Sequence, residues 1–265
     1  MPETTSDDPA IFFEDTGHGT PVVLGHSFLC SGEMWRGQVS GLTGRYRLIN
    51  VDFRGHGRSD ASLQPFTLYD AVDDVVAVLD ELGINKAVWC GLSIGGMVAL
   101  RAALEKPERV SGLVIMDSDA GKERLLRIVR YRLMAMAVKR LGVDPFLNEI
   151  CRLMFGKSTF KDQPELVEEW RARFAAVDVA STLVCLDALV NRDSLLDLLR
   201  QIEAPSLIMV GAEDASLPVP FSRRIHDALP NSEFVEIAAA GHLSALEQPG
   251  PVNQAIAGFL DRNFA

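Results

Sequence analysis

The sequence predicts an α/β fold, with one mostly parallel central sheet and helices on both of its faces. Short, continuous apolar runs alternate with amphipathic helical segments along most of the 265 residues. This alternation is typical of parallel strands joined by crossover helices. Hydrophobic residues make up 48% of the chain and charged residues 23%, which is the composition of a folded globular protein. A single α/β domain often reaches this length.

The first 119 residues contain five predicted strands and two predicted helices. Residues 21–24 are a continuous apolar run, as expected of a strand that is buried on both faces. Further along, Leu68, Val72 and Val75 recur at helical spacing, and Gly83 ends that helix. The predicted strands are 11–14, 21–24, 46–53, 86–90 and 110–116, and the predicted helices are 68–82 and 94–105.

The pattern changes in the middle of the chain. From about Gly121 to Ile202, helical segments follow one another without a convincing strand, and the alternation resumes after this block. The block therefore interrupts the sheet domain. We expect residues 1–119 and 203–265 to form the core domain and residues 120–202 to form a helical cap. The predicted helices of the block are 124–141, 164–174 and 179–189, and the later elements are strands 206–210 and 233–237 and helices 221–229 and 251–264.

The net charge of -10 argues against two classes of partner. An acidic chain is repelled by phosphate backbones and anionic lipid, so neither nucleic acid nor a membrane is expected as a partner. Residues 1–10 lack the basic and apolar regions of a signal peptide, and no run of about 18 apolar residues predicts a membrane-spanning helix. The four cysteines have no metal-ligand spacing, which fits a cytoplasmic location. The sequence leaves the oligomeric state open.

The strongest local motif is GLSIG at residues 91–95, which follows the predicted strand 86–90 and opens the helix 94–105. A serine on such a tight turn projects its hydroxyl above the edge of the sheet, and the glycines relieve the crowding. The helix N-terminus favours developing negative charge, and the backbone N–H of Ile94 would point at an oxyanion. The motif therefore predicts Ser93 as a nucleophile. A glycine-rich turn with an incidental serine is the alternative.

Five segments, taken in order, resemble the motifs of the α/β-hydrolase superfamily, and the similarity covers nearly the whole chain. They are VVLGHSF at residues 22–28, DFRGHGRS at 52–59, GLSIGG at 91–96, VGAED at 210–214 and AGH at 240–242. The resemblance implies the α/β-hydrolase fold. Among the branches of the superfamily, the sequence most resembles small esterases, enol-lactonases of the 3-oxoadipate type and cofactor-free haloperoxidases.

In this superfamily an acidic residue and then a histidine follow the serine along the chain. Of the five histidines, only His226 and His242 lie late enough. His226 falls within the predicted helix 221–229, where a solvated surface histidine is expected. His242 follows the last predicted strand in a loop of small residues, which lets an imidazole reach the edge of the sheet. We therefore expect His242 to be the general base.

The acid of the triad is expected to be Asp214. It stands after a predicted strand, where the superfamily usually carries the acid, and would hold the imidazole in the required tautomer. Glu213 is its immediate neighbour. Asp117 and Asp119 follow an earlier strand, a position that some members use instead. These three carboxylates remain alternatives.

Residues 26–28 depart from the pattern of the superfamily. Most relatives have His-Gly-X after this strand, and X gives the second N–H of the oxyanion hole, whereas this chain has His26-Ser27-Phe28. By position, Phe28 would supply that N–H. Because serine carries a Cβ, the loop must adopt a backbone conformation that Ser27 accepts.

The predicted cap is rich in methionine and aromatic residues, and such side chains form apolar pockets for substrates. Its basic residues are expected to form a solvated face; the alternative is that one of them holds a substrate carboxylate, as an enol-lactone diacid requires. These basic residues are Arg124, Arg127, Arg130, Arg132, Lys139 and Arg140. The side chains expected to contact the substrate are His26, Leu29, Met134, Phe146, Phe155 and Leu243.

Together, these predictions describe a hydrolase of small carboxylic esters or lactones that works through an acyl-enzyme. Ser93, Asp214 and His242 would form the catalytic triad, and the N–H groups of Phe28 and Ile94 the oxyanion hole. Neither a metal nor an organic cofactor is implied. The alternatives are a cofactor-free perhydrolase or haloperoxidase and a C–C bond hydrolase with the same triad, or a ligand receptor on a hydrolase scaffold.

Overall fold

The computed structural model describes residues 9–264. The prediction that residues 1–10 are not a signal peptide therefore falls mostly outside the described residues. Seven strands form one sheet. They are β1 (Phe13–Thr16), β2 (Pro21–Gly25), β3 (Arg47–Val51), β4 (Ala87–Leu92), β5 (Val110–Met116), β6 (Ser206–Gly211) and β7 (Ser232–Ile237). Their order in the sheet is β1-β3-β2-β4-β5-β6-β7.

Eleven α-helices occur in the described range. They are α1 (Arg36–Leu42), α2 (Leu68–Glu81), α3 (Ile94–Glu105), α4 (Leu125–Leu141), α5 (Leu147–Met154), α6 (Lys157–Asp162), α7 (Pro164–Ala175), α8 (Val179–Val190), α9 (Pro220–Ala228), α10 (Ser244–Glu247) and α11 (Pro249–Phe264). Short 3-10 helices lie at Gly32–Trp35, Pro107–Arg109, Asp144–Phe146 and Leu199–Gln201. Within residues 9–264, every helix is too short or too polar to span a bilayer.

The predicted α/β fold with a mostly parallel sheet is confirmed. All neighbouring strands from β3 to β7 pair in parallel, and only the edge strand β1 is antiparallel, to β3. In parallel sheets the carboxyl ends of the strands meet at one edge, where loops collect functional residues. The turns after β4 and β6 and the loop after β7 therefore lie close together.

Helices cover both faces of the sheet, so the strands are buried on both sides. Alternate residues of β2 show this division: Val22 and Leu24 belong to one apolar cluster, with residues of α1 and α11. Val23 belongs to the other cluster, with residues of α2 and α3. Continuous apolar strands are the sequence signature of this arrangement.

Some elements differ from the prediction. The first strand lies two residues later, at Phe13–Thr16, because it is a short edge strand whose register is set by pairing with β3. Helix α1, with the sequence RGQVSGL, was not predicted, because its two glycines are poor helix formers. It contacts α11 and buries Leu42. Packing, rather than propensity, therefore stabilises this helix.

Between β5 and β6 the described chain forms helices and no strand. Helices α4 to α8 lie in this segment, and α5 and α6, which were not predicted separately, fill the region after α4. Trp170 and Phe174 of α7 pack with their ring centroids 6.0 Å apart, and Phe155 stacks against Phe174 at 6.4 Å. This aromatic group is the packing centre of the helical segment.

Candidate active site

Ser93 occupies the single residue between the end of β4 and the start of α3. Its backbone is left-handed, with φ 56° and ψ -113°, a conformation that is strained for a residue with a Cβ. Two hydrogen bonds hold it there: the N–H of Ser93 donates to the Met116 carbonyl at 2.8 Å, and the Ser118 hydroxyl donates to the Ser93 carbonyl at 2.7 Å. The serine is thus fixed where the central strands end.

Close backbone packing explains the two glycines of the GxSxG motif. A Cβ on Gly91 would lie 2.1 Å from the carbonyl carbon of Gly95, and a Cβ on Gly95 would lie 2.1 Å from the carbonyl oxygen of Gly25. Neither position accepts a side chain unless the backbone moves. The motif therefore combines a strained serine with two glycines that allow β2, β4 and α3 to approach.

His242 and Asp214 form a buried pair on the loops that follow β7 and β6. Nδ1 of His242 lies 2.8 Å from Oδ2 of Asp214. The other carboxylate oxygen, Oδ1, accepts the N–H groups of Ser216 at 2.8 Å and Leu217 at 2.9 Å. An ionised carboxylate only accepts hydrogen bonds, so Nδ1 carries the proton and Nε2 keeps its lone pair. This is the tautomer that a general base requires.

The charges around His242 favour its protonated form. Burial alone would lower the pKa of the imidazole, but the charge and hydrogen bond of Asp214 oppose it, helped by the charges of Asp117 and Glu247. The net result is a pKa above the usual value of 6.5. The pair therefore stabilises an imidazolium, the species that forms when a histidine takes the proton of a serine.

Glu247 holds the loop that carries His242, a role that sequence reasoning missed. Oε1 of Glu247 accepts the N–H groups of Gly241 at 2.9 Å and Leu243 at 3.2 Å, on either side of the histidine. Oε2 accepts the N–H of Gly156 at 2.8 Å and the hydroxyl of Thr159. The carboxylate is 1% exposed. No pattern in the sequence marks this role, because Glu247 acts mainly on backbone N–H groups, which every residue carries.

Replacing Glu247 by glutamine is expected to lower kcat by roughly tenfold to a hundredfold, because a displacement of about 1 Å in an active site can have this effect. The amide nitrogen cannot accept hydrogen bonds from the loop, and the lost charge lowers the pKa of His242. The midpoint of the pH profile of kcat/KM should therefore fall. Glu236→Gln, an exposed carboxylate on β7, is the control. An unchanged kcat with an unchanged midpoint would exclude a positioning role for Glu247.

The alternative acids have other partners. Asp117 accepts the N–H of Gly211 at 2.7 Å and the hydroxyl of Ser244 at 2.5 Å. Burial, with the nearby charge of Asp214, raises the pKa of Asp117 well above its usual value.

Asp119 pairs with Arg224 at 3.0 Å and with Arg192 at 3.4 Å. Glu213 accepts the N–H and the hydroxyl of Ser158, and these bonds lower its pKa. Neither carboxylate is bonded to a histidine among the described residues. Asp119 and Glu213 therefore make structural contacts, whereas Asp214 contacts His242.

The N–H groups of Phe28 and Ile94 have no acceptor within the described part of the chain. Ile94 is the first residue of α3, so its N–H has no intrahelical partner. Phe28 lies in a turn closed by the Cys30 N–H on the Ser27 carbonyl at 3.0 Å. The left-handed residue of this turn is Leu29, with φ 65°, rather than Ser27. The departure from glycine at position 27 is therefore compatible with an oxyanion loop.

An apolar cavity of about 120 Å³ opens onto Ser93 and His242. Helices α4, α5 and α8 supply most of its wall, and the loop after β2, Ser93, His242 and three further loop residues supply the remainder. Lys and Arg side chains are absent from its lining. The lining consists of Ser27, Phe28, Leu29, Ser93, Tyr131, Met134, Ala135, Val138, Val143, Ile150, Leu153, Met154, Val177, Val179, Thr182, Leu183, Leu186, Leu189, Ser216 and His242.

Of the six side chains expected to contact the substrate, Leu29 and Met134 line the cavity and the other four do not. Phe155 stacks in the aromatic centre of the helical segment, and Phe146 packs against the same apolar cluster. The side chain of Leu243 is fully buried in this cluster. Its N–H donates to the Met154 carbonyl and to Glu247. Hydrophobicity and position alone do not separate residues of a pocket from residues of a core.

His26 is also absent from the cavity lining, and its ring is fully buried. Nε2 accepts the N–H of Phe53 at 2.9 Å, so Nδ1 carries the proton and donates to the Ser27 carbonyl at 2.8 Å. Burial lowers its pKa to about 4, so the ring stays neutral at physiological pH. The histidine thus links the ends of β2 and β3 below the Phe28 turn.

The other histidines also lie outside the site. Nδ1 of His226 lies 2.8 Å from the Ser232 hydroxyl, and its ring packs against Phe234. Burial lowers the pKa of His56 to about 3, and its ring packs against His26 and Phe28. In the part of the chain that is described, no cluster of His, Cys, Asp and Glu side chains is arranged to hold a metal ion.

The chain matches the model of the alpha/beta hydrolase family over residues 18–255, and it belongs to that family. A thermophilic esterase from Thermogutta terrifontis, solved with malate bound, has a TM-score of 0.94 and 32% identity, over 99% of this chain and 97% of that chain. The 3-oxoadipate enol-lactonase 2 of Acinetobacter baylyi is 26% identical over 260 residues, 97% of this chain and 96% of the relative. BpoC of Mycobacterium tuberculosis, which carries the name of a non-heme bromoperoxidase, is 30% identical over 253 residues, 93% of this chain and 96% of the relative.

Proposed function

We propose that this protein hydrolyses small carboxylic esters or lactones whose acyl part is apolar and uncharged, through an acyl-enzyme on Ser93. The observation that carries the proposal is the buried pair of His242 and Asp214. The histidine of this pair lines, together with Ser93, an apolar cavity that has no cationic side chain in its lining. The esterase and enol-lactonase among the relatives act on bonds of this class, as their names state.

The geometry supports the following sequence of steps. Oγ of Ser93 attacks the carbonyl carbon while Nε2 of His242 takes the hydroxyl proton, and the N–H groups of Phe28 and Ile94 bind the oxyanion. The bond to the leaving oxygen breaks as His242 returns the proton to the alkoxide. Water then loses a proton to His242 and attacks the acyl carbon. The bond from this carbon to Oγ of Ser93 breaks as His242 returns the proton to Oγ, which releases the carboxylic acid and regenerates the serine.

We further propose that residues 120–202 act as a cap that selects the substrate, while residues 1–119 and 203–265 form the core that carries out the reaction. The division is supported by the elements that carry the reacting groups and those that form the cavity wall. Ser93, Asp214 and His242 follow strands of the sheet, whereas α4, α5 and α8 supply most of the apolar wall. Insertions over a rigid scaffold are common positions for specificity.

The cavity predicts discrimination against charged acyl chains. We expect kcat/KM for 4-nitrophenyl hexanoate to exceed that for the mono-4-nitrophenyl ester of adipic acid by at least about a hundredfold. The two acyl groups have the same number of carbons, but the adipate places a carboxylate in an apolar cavity, and an unpaired buried charge costs several kcal/mol. Initial rates with both esters at neutral pH provide the measurement.

Two arginine variants of α4 make this test specific. Met134→Arg adds a cation to the cavity wall. It should lower the ratio of kcat/KM for the hexanoate ester to kcat/KM for the adipate ester by at least about tenfold, because one charge-assisted hydrogen bond contributes about 1.5 kcal/mol or more. Met136→Arg adds the same charge on the exposed side of the helix and should leave the ratio unchanged. Equal rates of the wild-type protein with both esters would contradict the proposed substrate class.

Perhydrolysis is the second candidate, because BpoC is named as a bromoperoxidase. It uses the same acyl-enzyme, with hydrogen peroxide in place of water as the attacking nucleophile. The discriminating measurement is peracid formation from acetate and peroxide compared with ester hydrolysis. The apolar cavity favours an acyl chain longer than acetate, so we expect hydrolysis of hexanoate esters to be the more efficient reaction.

A further inference from the structure

Helix α4 has an exposed apolar side that nothing in the described chain covers. Leu126 is 85% exposed, and Leu133 and Met136 are each 58% exposed. With Leu125 and Val129, they recur at spacings of mostly three and four residues and so share one side of the helix, called here the outer face of α4. Of the nine large apolar side chains that are exposed within residues 9–264, six belong to this single helix.

The opposite side of α4 has an evident role, which makes the outer face a separate feature. Tyr131, Met134, Ala135 and Val138 line the cavity beside Ser93. Apolar residues on that side need no further explanation. Those of the outer face contribute nothing to the cavity, and contiguous exposed apolar patches mark surfaces that bind a partner or a membrane.

The charges around the outer face are basic, in contrast to the rest of the chain. Residues 122–142 contain seven Lys and Arg residues and one acidic residue, Glu123, although the net charge of the chain is -10. Arg132 and Lys139 are seven residues apart and follow one border of the apolar stripe, and Arg130, which pairs with Glu149 at 2.6 Å, follows the other. At physiological ionic strength, charges act over about 8 Å, so a docked surface senses this local cluster rather than the net charge.

We propose that the outer face of α4 docks on an anionic lipid surface. An apolar stripe bordered by basic residues is the pattern of helices that lie in the plane of such a surface. A second copy of the chain fits less well, because α4 packed against α4 would bring two basic rows together. Resting on the proposed function, docking would place the cavity wall at the surface where apolar esters accumulate.

Co-sedimentation with lipid vesicles tests the docking, and catalysis is not needed for the measurement. The wild-type protein should bind vesicles of phosphatidylcholine and phosphatidylglycerol, bind vesicles of phosphatidylcholine alone much less, and dissociate at roughly 1 M salt, where charges act over about 3 Å. The triple variant L126S/V129S/L133S should lose at least about tenfold in partition coefficient, equal to about 1.4 kcal/mol. L63S/L198S removes exposed apolar side chains elsewhere and should bind like the wild-type protein.

Thermal unfolding shows whether the triple variant is folded. If it is not, a second variant still tests the docking. K139Q/R140Q preserves the apolar stripe and should weaken binding about thirtyfold, equal to about 2 kcal/mol. Wild-type protein that ignores anionic vesicles would overturn the proposal, and so would a dimer in sedimentation velocity that the triple variant makes monomeric. Failure of fluorophosphonate to label Ser93 would contradict the proposed function and not the docking, because vesicle binding is measured without turnover.

Discussion

Ser93→Ala is expected to lower kcat for ester hydrolysis by about 10⁶, as loss of the nucleophile does in a serine hydrolase with a triad. In the proposed mechanism, the hydroxyl oxygen of Ser93 is the atom that forms the acyl-enzyme, and alanine has no such atom. The fold should survive, because Ser93 is held through its N–H and carbonyl rather than through its hydroxyl. Alanine must still adopt the left-handed backbone, as serine does.

The measurement is the rate with a 4-nitrophenyl ester, with thermal unfolding as the check on the fold. Ser40→Ala on α1 is the control, because this serine is exposed and is not part of the cavity lining. Fluorophosphonate should label the wild-type protein and Ser40→Ala and leave Ser93→Ala unlabelled. More than a few per cent of wild-type activity in a clean, folded preparation of Ser93→Ala would show that another group is the nucleophile.

The second large effect is expected for Asp214→Asn, which should lower kcat by about 10⁴. The amide donates to Nδ1 of His242 instead of accepting from it, so the proton moves to Nε2 and the base loses its lone pair toward the serine. Glu213→Gln should have a far smaller effect, because Glu213 is bonded to Ser158. If Glu213→Gln had the larger effect, the two carboxylates would exchange roles. If neither mattered, Asp117 would be the remaining candidate beside His242.

The pH profile distinguishes loss of the acid from general damage. His242 must be neutral to act as a base, and its pKa lies above 6.5, so wild-type kcat/KM should rise with pH through a midpoint above 6.5. The charge of Asp214 contributes to the raised pKa. The residual activity of Asp214→Asn should therefore rise through a lower midpoint. An unchanged midpoint would show that Asp214 does not raise the pKa of His242.

Local patterns in the sequence are sufficient for most of the fold. Strands β2, β4, β5 and β6 are almost entirely apolar, because strands covered on both faces bury nearly every side chain. The turn at Ser93 is also readable, since the serine and its two glycines are neighbours in the chain. The turn depends on residues that are close in the sequence, and the strands depend on the burial of nearly all their side chains. Both properties produce a recognisable pattern of residue types in the sequence.

Only the tertiary structure decides which of several similar residues meet. Four carboxylates follow the ends of β5 and β6, and the structure brings Asp214 alone within hydrogen-bond distance of His242. Phe155 and Met134 are both apolar residues of the same helical segment, yet one is in its core and the other in the cavity wall.

The role of Glu247 and the exposure of the outer face of α4 were likewise invisible in the sequence. Glu247 acts on backbone N–H groups, which every residue carries, so no side-chain pattern marks its partners. Helix α4 is apolar on two sides, and periodicity cannot tell which side is covered by the protein. The sequence determined the fold and the order of the reactive groups, whereas long-range packing decided which groups touch, because contacts between distant residues depend on the whole chain.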